Sequence, residues 1–131
     1  VFSGIVKIKG RVLALAEQKG DRQIVIGAEP ALLEHLEIGA SVAVNGVCLT
    51  AVARTAQSFT ADVSRATLDV TTLGLLRIDD DVNLEPALKL GDPLDGHLVT
   101  GHVDGIGHVL SLAPEARSLR VVIEFPKDLA R

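Results

Sequence analysis

Residues 2–34 and 99–131 are related to each other at a constant offset of 97. Ser3-Gly4-Ile5-Val6 faces Thr100-Gly101-His102-Val103, and Ile24-Val25-Ile26 faces Val121-Val122-Ile123. Between them, Gly10-Arg11-Val12-Leu13-Ala14-Leu15-Ala16 faces Gly107-His108-Val109-Leu110-Ser111-Leu112-Ala113. Ten of the 33 ungapped pairs are identical. Chance gives on the order of three, and self-similarity at a fixed period marks repeated units. The chain therefore reads as one complete unit, 1–96, followed by the first third of a second, 97–131. The copy stops before any counterpart of Asn45-Gly46 or of Ser64. A third of a unit leaves strand edges unpaired and an apolar face in water. The expectation is that the native chain continues, or else that this tail pairs with another chain.

Within the first unit the pattern is that of short strands. Ile5 to Leu15 is rich in Val, Ile and Leu, with Gly10 as the expected bulge or bend. Arg22 to Ile26 follows the turn residues Gly20-Asp21. Pro30 to Leu36 changes period and predicts a helix with Leu32, Leu33 and Leu36 on one face. Asn45-Gly46 lies between the apolar runs Val42–Val44 and Val47–Val52. That dipeptide is the strongest short hairpin signal, because a type I′ turn needs positive φ at both central positions. Gln57 to Val63 is another strand, Ser64 is the expected cap of a helical turn, and Val82 and Leu84 alternate in a last strand. Closely spaced short strands with turns between them predict an all-β barrel or sandwich.

Composition removes several functional classes. Of 131 residues, 47% are hydrophobic and 23% charged, as in ordinary globular domains rather than disordered chains. The net charge is −4, no basic run exists, and aromatics to stack on bases are almost absent, so no nucleic-acid partner is expected. The longest uncharged stretch, Ile38 to Ala53, has 16 residues and is broken by Asn45-Gly46, so no membrane span is expected. Val1 to Lys7 lacks the layout of a signal peptide. A single cysteine, Cys48, cannot form an internal disulfide, which fits a reducing cytoplasm. With three Phe and no Tyr, Trp or Met, the core must be aliphatic. A flat ligand must then bind mostly without aromatic walls.

Few residues offer chemistry. Cys48 is either a small buried hydrophobe or a thiol facing a ligand pocket. His97, His102 and His108, with Asp95 and Asp104 nearby, do not fall on one face at their spacing, so no metal site is expected. His102 suits a proton acceptor by type. Gly101 to Gly107 lacks both phosphate-loop spacings and is expected to serve turns or close backbone approach. Asp62, Ser64 and Thr67 read either as capping residues or as polar groups for a polyol or planar imide.

Several segments in collinear order resemble the alpha-chain type of riboflavin synthase. They are Phe2 to Val6, Gly39 to Thr50, Thr67-Leu68 with Thr72-Leu73-Gly74, Val82 to Ala87, and Gly96 to Gly105. The resemblance implies a six-stranded Greek-key barrel, plus the start of a second, homologous barrel. It also implies a transferase reaction in riboflavin biosynthesis. Two molecules of 6,7-dimethyl-8-ribityllumazine dismutate to riboflavin and 5-amino-6-(ribitylamino)uracil, without metal or organic cofactor. A homotrimer is implied, with each site shared between the first barrel of one subunit and the second barrel of a neighbour, and lumazine synthase as a further partner. Residue by residue, the first-barrel pocket carries over to Gly4, Ile5 and Val6, to Cys48, Leu49 and Thr50, and to Asp62, Val63, Ser64, Arg65, Ala66 and Thr67. The second-barrel pocket carries over to Gly101, His102 and Val103. Phe2, Cys48 and His102 match positions implicated in catalysis. Asp95 departs from the family's usual glycine, with an expected effect on the linker alone. The other reading is a non-catalytic lumazine protein, which shares the barrels and uses the ligand as a fluorophore.

Overall fold

The computed structural model of the protein describes residues 1–130. Arg131, the last residue of the expected second unit, lies outside them. Six strands close into an antiparallel barrel: β1 (Ile8–Gln18), β2 (Asp21–Gly27), β3 (Ser41–Val44), β4 (Val47–Arg54), β5 (Ser58–Val63) and β6 (Asp81–Pro86). Their order around the barrel is β1-β2-β5-β4-β3-β6. Strands β3 to β5 form a meander, while β6 returns to close the gap between β3 and β1. A separate two-stranded sheet follows, β7 (His108–Glu115) and β8 (Ser118–Glu124). The expected all-β class, with one closed barrel and the start of a second, is what the chain forms.

Alternation along the strands fills the barrel. Val12, Ile24, Ile26, Val42, Val44, Phe59, Ala61, Val63, Val82 and Leu84 are buried in one cluster. Phe59 is the single aromatic in that cluster, so the core is aliphatic as the composition required. A helical turn, α1 (Pro30–Leu33), packs Leu32 and Leu33 against one end, and Arg54 donates to the Leu33 carbonyl at 2.9 Å. The opposite end carries α2 (Arg65–Asp69) and a 3₁₀ turn, Thr72–Leu75, whose Leu73 is fully buried. Arg22 ties that end down through the Gly74 carbonyl at 2.9 Å.

Two local expectations change. The helix predicted to reach Leu36 is regular only to Leu33, and the next residues bond in the tighter pattern, His35 N–H to Leu32 O and Leu36 N–H to Leu33 O. Leu36 is nevertheless buried, so the apolar face persists where the α-pattern does not. The bulge in β1 falls between Val12 and Ala14, not at Gly10. Gly10 serves close approach instead: a Cβ there would lie 2.6 Å from Leu84 Cδ1 and 3.0 Å from the Gly27 carbonyl oxygen.

The hairpin β7–β8 repeats β1–β2 in detail. Val12 pairs with Ile26 and Val109 with Ile123, and both first strands skip one residue at the next step. The turn residues Lys19 and Ala116 share φ values of 52° and 53°. β1 and β2, however, pair on their outer edges with β6 and β5, whereas β7 and β8 pair only with each other among the described residues. Leu110, Leu112, Leu119 and Ile123 are correspondingly exposed.

Replacing Gly10 by alanine should lower stability by about 1–3 kcal/mol through overpacking against Leu84 and the Gly27 carbonyl. The midpoint of urea unfolding measures this; an unchanged midpoint would show that the barrel yields at that point.

Candidate functional site

Cys48 is the second residue of β4, directly after the turn at Asn45 and Gly46. That turn has φ of 49° and 82° at its two central residues, as a type I′ turn requires. Val47 and Leu49 face inward and are buried, so strand alternation turns the half-buried Cys48 outward. The segment around residue 101 covers it. The Cys48 amide donates to the Gly101 carbonyl at 3.0 Å. Gly101 has φ of 78°, and a Cβ there would lie 2.9 Å from both Cys48 Cβ and Cys48 N. Only glycine fits both conditions at that position.

The facing wall comes from α2. Ser64 caps it, its Oγ accepting from the Thr67 amide at 3.3 Å and lying 3.1 Å from Thr67 Oγ1. The Thr71 hydroxyl donates to the Thr67 carbonyl at 2.7 Å, continuing the turn. Between these walls lies a cleft of about 280 Å³, lined by Val47, Cys48, Gly101, His102 and Val103 together with Ala66, Thr67, Val70 and Thr71. Its lining is aliphatic, with two threonine hydroxyls, one thiol and one imidazole. Among the described residues, no carboxylate, lysine or arginine lines it. The site can therefore hold a neutral planar ring by contact and engage its edge by hydrogen bonds. The shifted carboxyl lies elsewhere: a hydrogen bond from Lys9 above all, with Arg11 beside it, holds Asp81 below the usual carboxylate range on the exposed barrel surface.

Of the expected site residues, the structure brings together Cys48, Ala66, Thr67, Gly101, His102 and Val103. Leu49 and Val63 face the barrel core, and Thr50 is exposed. Asp62 is exposed on β5, where it accepts from Gln23 Nε2 at 2.8 Å. Ser64 and Arg65 are not among the residues lining the cleft: one caps α2, and the other pairs with Asp69 at 2.7 Å. Phe2, Gly4 and Val6 lie apart, around a cavity of about 80 Å³ bordered by Ala43, Glu85 and Val99. Ile5 is exposed.

The structure seats Gly101, His102 and Val103 at the Cys48 cleft and sets Gly4 and Val6 around the smaller cavity. The cause is a long-range pairing. Phe2 and Val99 form an antiparallel bridge, with N–H to O distances of 2.8 and 2.9 Å, which lays the following residues over the start of β4. Val47, Val70 and Thr71 were missed. Val70 and Thr71 sit four residues after Ala66 and Thr67, so continuing the Ser64-capped turn by one helical step reaches them.

A closed antiparallel barrel with a small, uncharged, largely aliphatic cleft at one end belongs to the class of small β-barrel domains. Residues 3–87 match the family model described as the lumazine binding domain. The chain belongs to that family. It is also 32% identical over its whole length to a riboflavin synthase of Photobacterium phosphoreum, and 40% identical to one of Mycobacterium tuberculosis. It spans 60% and 65% of those relatives' own lengths. Among solved structures, LumP complexed with riboflavin superimposes with a TM-score of 0.85 at 30% identity, covering 98% of this chain and 70% of that one. LumP complexed with 6,7-dimethyl-8-(1'-D-ribityl) lumazine gives the same TM-score at 29% identity, covering 98% and 71%.

Substituting Gly101 by alanine should detach this segment from Cys48, since the new methyl group meets β4 backbone and the φ disfavours a side chain. Alkylation of the Cys48 thiol should then be faster at an unchanged barrel melting temperature; an unaltered rate would contradict the contact.

Proposed function

We propose that this chain binds 6,7-dimethyl-8-ribityllumazine and riboflavin in the Cys48 cleft, as part of a riboflavin synthase. The observation that carries this is the seating of Gly101, His102 and Val103 against Cys48 and Thr67. It makes an open cleft from segments far apart in sequence that match the family's motifs. Bound lumazine and riboflavin in the LumP structures support the ligand class.

The proposed reaction suits so modest a set of side chains. The substrate ring itself acidifies its C7 methyl group by spreading the carbanion charge. The protein's main task is to hold two flat rings face to face, which turns a bimolecular encounter into a local step. His102 takes or returns a proton at the ring edge. Cys48 donates a hydrogen bond to the ring or adds to it transiently. Phe2 acts by ordering the N-terminal segment. Ser3-Gly4-Ile5 has the same local build as Thr100-Gly101-His102: Gly4 has φ of 79°, and Ser3 Oγ accepts from the Ile5 amide as Thr100 Oγ1 does from that of His102. Gly4, Ile5 and Val6 are accordingly proposed as ligand-contacting residues equivalent to Gly101, His102 and Val103. Units 1–96 and 97–131, a homotrimer with shared sites, an association with lumazine synthase and a cytoplasmic location complete the proposal. The non-catalytic reading is favoured by one observation, the likeness to LumP, and differs in forecasting binding with no turnover under any condition.

Purified chain should quench flavin fluorescence at micromolar concentrations. Ala66→Leu, which fills the cleft, should weaken binding roughly tenfold, equivalent to about 1.4 kcal/mol. Riboflavin should form slowly or not at all from lumazine alone. Absence of quenching at high micromolar protein would remove both ligand-binding readings, and rapid turnover by these 131 residues would refute the need for a second complete barrel.

A further inference from the structure

Glu85 is a buried carboxylate that the proposed chemistry does not use. It lies on β6 between Leu84 and Pro86, pairs across to Ala43 of β3, and is 7% exposed. Leu84, Val42 and Val44 face the barrel interior, so Ala43 and Glu85 point to the outside of the wall. Both are buried because the N-terminal segment lies over them. Glu85 Oε1 accepts from the Ser3 amide at 2.6 Å and from Ser3 Oγ at 2.8 Å, and Oε2 accepts from the Gly4 amide at 3.2 Å. Three neutral donors converge on one carboxylate, and two belong to the backbone. Hydrogen bonds to an ionised acceptor are stronger than neutral ones, and a buried charge stripped of them is costly.

What Glu85 holds is the strand on which residues 97–99 register. The Ser3 carbonyl accepts from the His97 amide at 2.9 Å, and Phe2 and Val99 exchange both backbone bonds. A Cβ at Gly96 would run into the Ser3 carbonyl oxygen, so the two segments lie in close contact. Two residues past Val99, the Gly101 carbonyl takes the Cys48 amide. Glu85 lines the small cavity beside Phe2 and no part of the Cys48 cleft. It is nonetheless joined to that cleft through the clamped Ser3, the Ser3–His97 and Phe2–Val99 backbone bonds, and the two residues of chain from Val99 to Gly101.

We propose that Glu85 is a positioning residue for the Cys48 cleft: by clamping Ser3 and Gly4 it fixes the segment that seats Gly101, His102 and Val103 against Cys48. Removing the clamp frees residues 1–6 and 97–103 together while the barrel stays closed, a local opening rather than unfolding. The consequence for ligand affinity rests on the binding function proposed above; the consequence for the exposure of Cys48 does not.

The test compares the parent chain with Glu85→Gln, Glu85→Asp and Ser3→Ala. Glutamine removes the charge and replaces one of the two acceptor oxygens by an NH2 donor facing an amide, aspartate keeps the charge but retracts it by one methylene, and Ser3→Ala removes one donor of the three. Hydrogen exchange should rise in peptides covering residues 1–6 and 96–103 of both Glu85 variants and stay at parent levels in β2, β4 and β5. Iodoacetamide should alkylate Cys48 roughly tenfold faster in these variants, the scale of losing hydrogen bonds to a charged group. Ser3→Ala should change the rate about threefold or less. Riboflavin affinity, read by fluorescence quenching, should fall in the same order. Parent-level thiol reactivity in a folded Glu85→Asp chain would overturn the proposal. So would exchange raised in residues 1–6 alone, or raised equally through the whole barrel in both Glu85 variants. A parent chain that fails to quench riboflavin would instead count against the ligand, leaving the exchange and thiol readouts to decide the role of Glu85.

Discussion

Barrel closure rests on β1 serving two neighbours at once. Its first residues, Ile8 to Arg11, pair with β6, and its later ones, Arg11 to Gln18, pair with β2. One straight strand cannot follow two differently inclined partners, and the extra residue at the Val12–Ala14 step supplies the bend. Gly10, just before it, lets Leu84 and the Gly27 backbone approach where the two pairings hand over. Without that hand-over the sheet would stay open, and Ala43 and Glu85 would have no continuous wall from which to face the N-terminal segment.

The same hairpin, bent at the corresponding place, is built again at β7–β8 and there closes nothing. Register and bulge position are therefore properties of the hairpin sequence, while burial is a property of what lies on its outer edges. Leu15 packs against the barrel core, and Leu112, its counterpart 97 residues on, is 60% exposed. The difference between the two lies wholly in their neighbours, since their own pairing is the same.

This contrast also explains which features were legible in the sequence. Asn45-Gly46 was, because positive φ at two successive residues is a local demand that few dipeptides meet. Ser64 was, because a cap is chosen by the amides three residues away. The offset of 97 was, because repetition needs no knowledge of folding. The bulge was misplaced to Gly10, since glycine signals both bulges and close approach, and only the identity of the facing atoms separates the two. The membership of the cleft was partly legible. Cys48, Ala66 and Thr67 lie on adjoining elements of one barrel end, but their meeting with His102 depends on Phe2 finding Val99 across 97 residues. Nothing in either segment's own pattern announces that pairing, and Glu85, which holds one side of it, reads in sequence as an ordinary polar residue on an alternating strand.

The Phe2–Val99 bridge has one more property. Each of these residues is the other's counterpart at the offset of 97, and each gives its amide and its carbonyl to the other. A contact in which equivalent positions face one another is isologous, the kind that two copies of a single unit make across a two-fold axis. Such a contact has no polarity: each segment orders the other through the same pair of backbone bonds. A shift in the bridge therefore displaces the two segments, residues 2–4 and 97–101, by the same amount.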